Sequence, residues 1–244
     1  MLLEVGLHNP VAAGVGRHGE SEWALGQRLL AQVPKRALVL GDRLYGVPAF
    51  AVLAQAACQR VGSHFLLRAS RAVKPRGLKR LADGSRLVHV PVRARGNPTR
   101  ILQWLELREI RVQVSRVGHR AHVLQLWTTL HDPRAAPALD LARIYASRWD
   151  HELYFRDLKR QLRRTELLQS HTVETGAQEV AAIVLASAIT ATERARTATA
   201  DVAALRVSFG QVLTLVRGMW LFLGPFADVF TDQQKTQVVR RGRA

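Results

Sequence analysis

The sequence predicts an α/β protein in which a largely buried sheet is followed by a β-rich insertion and then by helices. A continuous apolar run at residues 37–40 stops at the polar step Gly41-Asp42, as a buried central strand does. Extended and helical segments alternate through the first 68 residues, which is typical of an α/β layer. From Ala69 onward, closely spaced turn signals replace this alternation and indicate strands alone.

Residues 1–68 are predicted to form the first part of the core. The segment 2–16 predicts two short strands around the turn signal Asn9-Pro10, and 20–32 predicts a helix. After the apolar strand, a helix is expected over 48–60 and a second buried strand over 64–68.

Residues 69–130 are predicted to be the β-rich insertion. Its turn signals are Pro75-Arg76-Gly77, Asp83-Gly84 and Gly96-Asn97-Pro98. Strands are expected at 87–92, 101–107, 110–114 and 123–130. Residues 131–200 then form the second part of the core, with a long helix over 138–162 and another over 173–197, and residues 201–244 form a helical tail.

Charge is the most unusual feature of the composition. The 36 Lys and Arg residues exceed the 19 Asp and Glu residues by 17, which favours a polyanionic partner, with nucleic acid first. The single cysteine, Cys58, excludes an internal disulfide and suits a reducing compartment. The longest apolar run, around 180–191, is shorter than a membrane span, so no membrane role and a cytoplasmic location are expected.

The predicted long helix carries a four-residue pattern on one face. At 100° per residue, four side chains fall within about 60° of one another: Tyr145, Arg148, Glu152 and Lys159. Asp150 and Asp157 fall on the opposite face, where solvent is their expected neighbour. Glu152 is therefore the carboxylate best placed for a site.

For a single pair, the simplest interpretation is an Arg148–Glu152 salt bridge worth about 0.3 kcal/mol on an exposed helix. Chance does not explain the complete spacing Tyr-x2-Arg-x3-Glu-x6-Lys, because the residue frequencies of this chain predict on the order of 0.0003 chance matches. Asp42 alone reads as a strand-end residue that makes a turn or pairs with Arg43, and the helix pattern favours a functional role for it.

These motifs resemble the type-four group of bacterial insertion-sequence transposases, which are DDE-type enzymes. The helix spacing matches that family's signature, and the segment 41–46, Gly-Asp-Arg-Leu-Tyr-Gly, is similar to its second-aspartate motif. The segments 64–68, 126–130 and 144–149 are also similar to the family, and the resemblance covers roughly residues 2–196.

The resemblance implies an RNase H-like core in which two Asp and one Glu hold Mg²⁺ or Mn²⁺, with two ions in the complete enzyme. Asp42 and Glu152 are then the catalytic metal ligands in this chain. Arg148 and Lys159 are expected to bind DNA phosphates, and Tyr145 to donate a hydrogen bond to DNA or stack on it. The implied partners are the terminal inverted repeats of the element and the target DNA, with a homodimer at full length and a location at the bacterial nucleoid.

The family's first catalytic Asp has no match in this chain. Glu4 is the only carboxylate before Glu20, and its surroundings look like the second core strand rather than the first. The core is therefore expected to be incomplete at its N-terminus and the fragment to be catalytically incomplete.

Two alternatives stay open: a non-catalytic DNA-binding remnant of a transposase, and an unrelated RNase H-like nuclease with three or four acidic ligands. Trp104 and Trp127 lie in the predicted insertion, where family members can stack a Trp on a flipped base. Packing in the sheet is the favoured interpretation for both.

Overall fold

The chain divides into two units at Trp149 and Asp150. The structure, a computed structural model, describes residues 1–16, 19–116, 119–163, 169–198 and 203–223. The first unit comprises Met1–Leu2 and Val11–Trp149, and the second comprises Leu3–Pro10 and Asp150–Ala244.

A six-stranded mixed sheet forms the framework of the first unit. Its strands are β3 (Leu38–Gly41), β4 (His64–Arg68), β5 (Arg76–Arg80), β6 (Arg86–Ala94), β7 (Asn97–Arg116) and β8 (His119–Thr128). Their order is β3-β4-β8-β7-β6-β5, with β3 parallel to β4 and every other pair antiparallel. The sheet therefore runs without interruption from the predicted core into the predicted insertion.

Most of the predicted strands of this sheet are confirmed, with three corrections. Strand β5 was not predicted, and it includes Arg76 and Gly77 of a predicted turn signal. The strands expected at 101–107 and 110–114 are parts of one strand, β7, because no turn residue separates them. The apolar run at 37–40 was expected to be a central strand, but β3 pairs only with β4 and lies at the edge of the sheet within the described residues. A short apolar run cannot distinguish the two positions, since both can be partly buried.

Helices cover both faces of this sheet. The first face packs against α1 (Glu22–Leu29), a 3₁₀ turn (Leu30–Gln32) and α2 (Pro48–Arg60), and its core includes Phe65, Leu67 and Trp127. The second face packs against α3 (Ala138–Ala146), and its core includes Leu66, Ile110 and Leu126. Successive residues of β4 thus enter opposite cores, as the two-residue period of a strand requires.

The first two strands differ from the prediction in the position of their turn. Strands β1 (Leu2–Glu4) and β2 (Asn9–Ala12) pair with each other, and the turn spans residues 5–8, so Asn9-Pro10 begins the second strand. The Glu4 carboxylate accepts hydrogen bonds from the backbone N–H groups of Gly6 and Leu7, both at 2.7 Å. This carboxylate organises the turn, a contact that spacing alone does not reveal.

The long helix predicted over 138–162 is interrupted. Helix α3 ends at Ala146, and α4 (Trp149–Asp157) runs into a π-helical turn at Leu158–Arg163. The Ser147 hydroxyl donates to the Ile144 carbonyl at 2.6 Å, and the N–H groups of Ser147 and Arg148 bond three residues back. A serine that bonds its own backbone competes with regular helix, which explains the break.

The second unit is helical in its described part apart from the residues of the first hairpin. Its helices after α4 are α5 (Val173–Thr197), a 3₁₀ turn (Ala204–Arg206) and α6 (Phe209–Leu223). The predicted bounds of α5 are confirmed, and Thr172 caps the helix through Thr175. By length and hydropathy α5 could cross a membrane, although core helices of other proteins pass the same test. The predicted tail beyond residue 223 lies outside the described residues.

Candidate functional site

Asp42 lies at the carboxyl end of β3, where two parallel strands end side by side. Gly41 is in register with Leu67, so Asp42 and Arg68 follow at the same edge of the sheet. The half-buried Asp42 carboxylate accepts a hydrogen bond from the Leu44 N–H through Oδ1 at 2.8 Å. Within the described part of the chain, Oδ2 has no hydrogen-bond partner. This oxygen is available to a ligand.

Two glycines hold the segment after Asp42 against the neighbouring backbone. A Cβ on Gly46 would lie 1.7 Å from the carbonyl oxygen of Arg68, and a Cβ on Gly41 would lie 2.5 Å from Cδ2 of Leu67. The Gly46 carbonyl accepts from the Ser70 N–H at 2.8 Å. A side chain at either glycine would force these segments apart, which gives a physical reason for both glycines of the motif.

Tyr145, at the end of α3, contacts the same segment from the second face of the sheet. Its side chain is buried, and its hydroxyl donates to the Gly41 carbonyl at 3.2 Å. Burial raises the pKa of Tyr145, the charges of Arg148 and Arg68 oppose that rise, and the charge of Asp42 adds to it. The phenol therefore stays protonated, and in this structure its partners are protein groups rather than an open surface.

Two cations accompany Asp42 and Tyr145 in the first unit. Arg148 is half-buried in the turn after α3 and shares a side-chain hydrogen bond with Tyr145. Arg68 acts on the same phenol from the end of β4. The sequence motifs did not single out Arg68 as a site residue, but its place at the carboxyl end of the strand that pairs with β3 could have indicated it.

Glu152 and Lys159 belong to the second unit. On α4, Tyr154 is buried and its hydroxyl lies 2.6 Å from Oγ of Ser187, whereas Glu152 is exposed. Two residues along an α-helix differ by about 200°, so anchoring Tyr154 turns Glu152 outward. Lys159 is exposed on the π-helical turn. The helix breaks at Ser147 and becomes π-helical at Leu158. The four residues of the pattern therefore do not lie on one face of a single α-helix, contrary to the prediction.

Asp150 and Asp157 were expected to face solvent, and this expectation is wrong. Both are half-buried, and both raise the pKa of the buried His8, against the larger effects of burial and of Arg194, which lower it. Asp157 also acts on the buried Arg194. The sequence could not show this, since His8 and Arg194 are remote in the chain and only folding brings them beside α4.

A polar cluster in the first unit was missed by sequence reasoning. Arg108 is fully buried and donates to Ser85 Oγ at 2.8 Å, to the Ala136 carbonyl at 2.7 Å and to the Leu130 carbonyl at 3.1 Å. It also pairs with Asp83, whose Oδ2 accepts from the N–H of Ala138 at 2.8 Å. Asp83 thereby caps α3 from a distant turn. The charged pair Arg108-Glu109 inside an apolar strand was the available signal.

The remaining candidate residues have simpler environments. Trp127 is fully buried in the first core, so sheet packing is confirmed for it, while Trp104 is 48% exposed on the sheet and its ring centre lies 6.1 Å from that of His89. Cys58 is buried, and burial raises the pKa of its thiol to about 11, which leaves it unreactive at neutral pH.

The Asp42 carboxylate is a group in the first unit that could bind a metal ion. Asp42 offers a carboxylate oxygen at a sheet edge, and oxygen is the donor that Mg²⁺ and Mn²⁺ prefer. Among the described residues, no group of three or more His, Cys, Asp or Glu side chains is arranged to hold a metal ion. Asp42 is therefore one carboxylate of the chemical kind that these ions bind.

The first unit thus combines an aspartate that follows a strand end, two glycines that fit only without a side chain and an arginine in the turn after a helix. Residues 7–189 match the model of the Transposase DDE domain, and the chain belongs to this family. It is also similar to "Transposase InsG for insertion sequence element IS4" of Escherichia coli (strain K12), with 25% identity over 186 residues. That match covers 75% of this chain and 41% of the relative, so the chain spans less than half of the relative's length.

Proposed function

We propose that this chain is the catalytic-domain part of a DNA transposase that cleaves DNA strands and joins them to a target. The family match over residues 7–189 supports this proposal most strongly. The position of Asp42 at the carboxyl end of β3, next to the end of β4 with Arg68, also supports it. An RNase H-like fold for the complete core is part of the proposal, and the mixed sheet flanked by helices is consistent with it.

In this proposal, Asp42 and Glu152 are the two carboxylates that bind divalent metal. The Oδ2 atom of Asp42 has no partner among the described residues, and Glu152 is directed outward by the anchoring of Tyr154. A bound Mg²⁺ or Mn²⁺ would supply the charge that activates the attacking oxygen and stabilises the leaving 3′ oxygen of a phosphodiester. Metal ions in such sites commonly act in pairs, and two are proposed for the complete enzyme.

The basic residues of the site are proposed to bind DNA. Arg148 and Lys159 are proposed to bind phosphates beside the bond that is cleaved, and Arg68 joins them because it lies at the same sheet edge as Asp42. The buried Tyr145 hydroxyl is engaged by Gly41, so Tyr145 serves here by holding Arg148 next to the Asp42 segment. The proposed partners are the ends of a mobile element and its target DNA, with a homodimer in the full-length enzyme.

A non-catalytic DNA-binding role is the second candidate. The formal charge of +17 favours it, because phosphate contacts need no metal and no third carboxylate. Only two of the three carboxylates that the family is expected to use are assigned in this chain, so the 244-residue chain by itself is proposed to be catalytically incomplete.

Metal binding separates the two candidates. Mn²⁺ binding to the purified chain can be followed by the loss of the free-ion electron paramagnetic resonance signal. Asp42→Asn and Glu152→Gln are each expected to weaken binding about tenfold, because each removes one charged oxygen ligand.

Asp140→Asn and Asp150→Asn are matched controls, since each removes one carboxylate that the proposal leaves out of the site. They are expected to leave Mn²⁺ affinity unchanged. Equal Mn²⁺ affinity in the wild type and in all four variants would remove Asp42 and Glu152 as ligands and leave the DNA-binding role.

A further inference from the structure

Strand β5 is a basic edge of the sheet. All five of its residues are exposed, and three of them are cations: Arg76, Lys79 and Arg80. It pairs only with β6, so its outer edge is open in the described part of the chain. The strand extends for about 13 Å.

A bulge at Leu78 decides which way these cations point. Arg76 is in register with His89 and Lys79 with Leu87, while Leu78 has no partner. His89 and Leu87 are two residues apart on β6 and share one face of the sheet, so Arg76 and Lys79 share that face as well. In a regular strand, a spacing of three residues would place them on opposite faces.

The described acids near β5 contact side chains other than its cations. Residues 69–130 contain 13 Lys or Arg and 3 Asp or Glu, which is a formal charge of +10 out of the total of +17. The three acids contact other side chains: Asp83 contacts Arg108, Glu109 contacts Arg86 and Arg111, and Glu106 contacts His89 and His131. Within the described residues, no carboxylate lies within ion-pair distance of a β5 cation.

An open edge strand with cations has a simpler explanation, since Lys and Arg on an edge discourage pairing with another sheet. That role needs one or two charges on the strand itself. It does not account for the absence of any acid between Asp42 and Asp83, where Arg71 and Lys74 extend the exposed positive charge to the start of β5.

We propose that β5 is a contact surface for the phosphodiester backbone of duplex DNA, with Arg76 and Lys79 on one face of this edge and Arg80 on the other each neutralising one phosphate. This inference rests on the proposed action of the chain on DNA. Phosphates recur about every 3.4 Å of helix axis along one strand, so the length of β5 is sufficient to follow several of them. Contacts of this kind position the duplex and carry no sequence preference.

The test is the salt dependence of DNA binding by the 244-residue chain, measured by fluorescence anisotropy with a labelled duplex of arbitrary sequence. Each phosphate contact contributes about 0.9 to the slope of log affinity against log salt concentration. The triple variant Arg76→Gln, Lys79→Gln, Arg80→Gln is expected to lower the slope by about 2.7. When NaCl rises from about 50 to 200 mM, the affinity of the wild type for DNA then falls by a factor about 40 times larger than that of the variant.

A matched triple variant, Arg28→Gln, Arg143→Gln, Arg196→Gln, removes the same charge from exposed arginines that already have acidic partners. It is expected to change the slope by less than about 1. The variant Arg76→Lys with Arg80→Lys keeps the charge and is expected to keep the slope.

Equal changes of slope in the two triple variants, or increased light scattering of the β5 variant with an unchanged slope, would overturn the proposal and leave β5 a protective edge. In either case DNA binding by the wild type would still support the proposed function. A wild type that does not bind the duplex at low salt would contradict both.

Discussion

Tyr145 contacts the backbone of the strand that leads into Asp42, through the bond from its hydroxyl to the Gly41 carbonyl. The same phenol shares a hydrogen bond with Arg148. A signature residue can therefore act by placing a cation and a carboxylate relative to each other, without touching DNA. Gly41 and Gly46 contribute in the same way, because they let the Asp42 segment approach Leu67 and Arg68 closely.

Replacing Tyr145 by Phe tests this role. Tyr145→Phe leaves the ring in place and deprives the buried Gly41 carbonyl of a donor, so the free energy of unfolding is expected to fall by about 1 kcal/mol. Urea denaturation measures this change. Tyr45→Phe is the control, since the Tyr45 hydroxyl donates to the exposed Glu22 side chain, at 3.1 Å, and the loss of this exposed bond is expected to cost less. An unchanged stability together with weaker DNA binding would favour a direct contact between Tyr145 and DNA.

Helix α3 is held at both ends. At its start, Asp83 accepts from the Ala138 N–H, which supplies the cap that Pro137 cannot provide. Arg108 joins that carboxylate to the carbonyls of residues 130 and 136. At its end, Tyr145 bonds to Gly41. The β-rich segment thus helps to position the helix that carries Tyr145 and leads into the turn with Arg148.

Acid should weaken this arrangement. Burial raises the pKa of Asp83, but hydrogen bonds from Ser85 and Ala138 and the charge of Arg108 outweigh it and hold the pKa below the ordinary 3.8. A carboxyl with a lowered pKa stabilises the fold fully above its unfolded pKa, and that contribution is lost as the pH falls through the folded pKa. Asp83→Asn is expected to cost about 1–2 kcal/mol at pH 7.

The difference between wild type and Asp83→Asn is expected to shrink as the pH falls below about 4, and urea denaturation across this range measures it. Asp140→Asn removes an exposed carboxylate from the same helix and should show little difference at any pH. A cost of Asp83→Asn that stayed constant from neutral to acid pH would show that its charge is irrelevant to the cap.

The whole chain carries its positive charge unevenly. Residues 69–130 hold +10 of the +17, whereas Asp42 directly follows β3, at the opposite edge of the same sheet. DNA that followed the basic strands would thus engage a surface separate from the edge that carries Asp42. Under the proposed function, such a division would let DNA binding persist without a complete set of metal ligands.

The isolated 244-residue chain is expected to nick plasmid DNA carrying the element's ends weakly or not at all in Mg²⁺. The reason is that a metal bound by fewer carboxylates holds the attacking and leaving oxygens less well. Agarose electrophoresis of supercoiled plasmid shows nicking directly, with Glu152→Gln as the control. Strong nicking that disappears in Glu152→Gln would show that the chain has a sufficient ligand set.

Much of the local structure follows from the order of residues along the chain. Apolar runs predicted β3, β4 and α2, and helical periodicity predicted α5, because these elements depend on a repeat of two or about four residues. The family was also predictable, since the four-residue spacing and the Gly41–Gly46 motif lie within short segments. Metal binding by Asp42 and Glu152 remains a prediction.

Contacts between distant residues were decided by tertiary structure. The edge position of β3, the partial burial of Asp150 and Asp157, and the capping of α3 by Asp83 depend on partners many residues away. A periodic pattern states which side of an element is apolar, but not which element covers it. Sequence alone therefore determined the family and most elements, while folding determined which charged groups are buried, which are paired and which remain exposed for a partner.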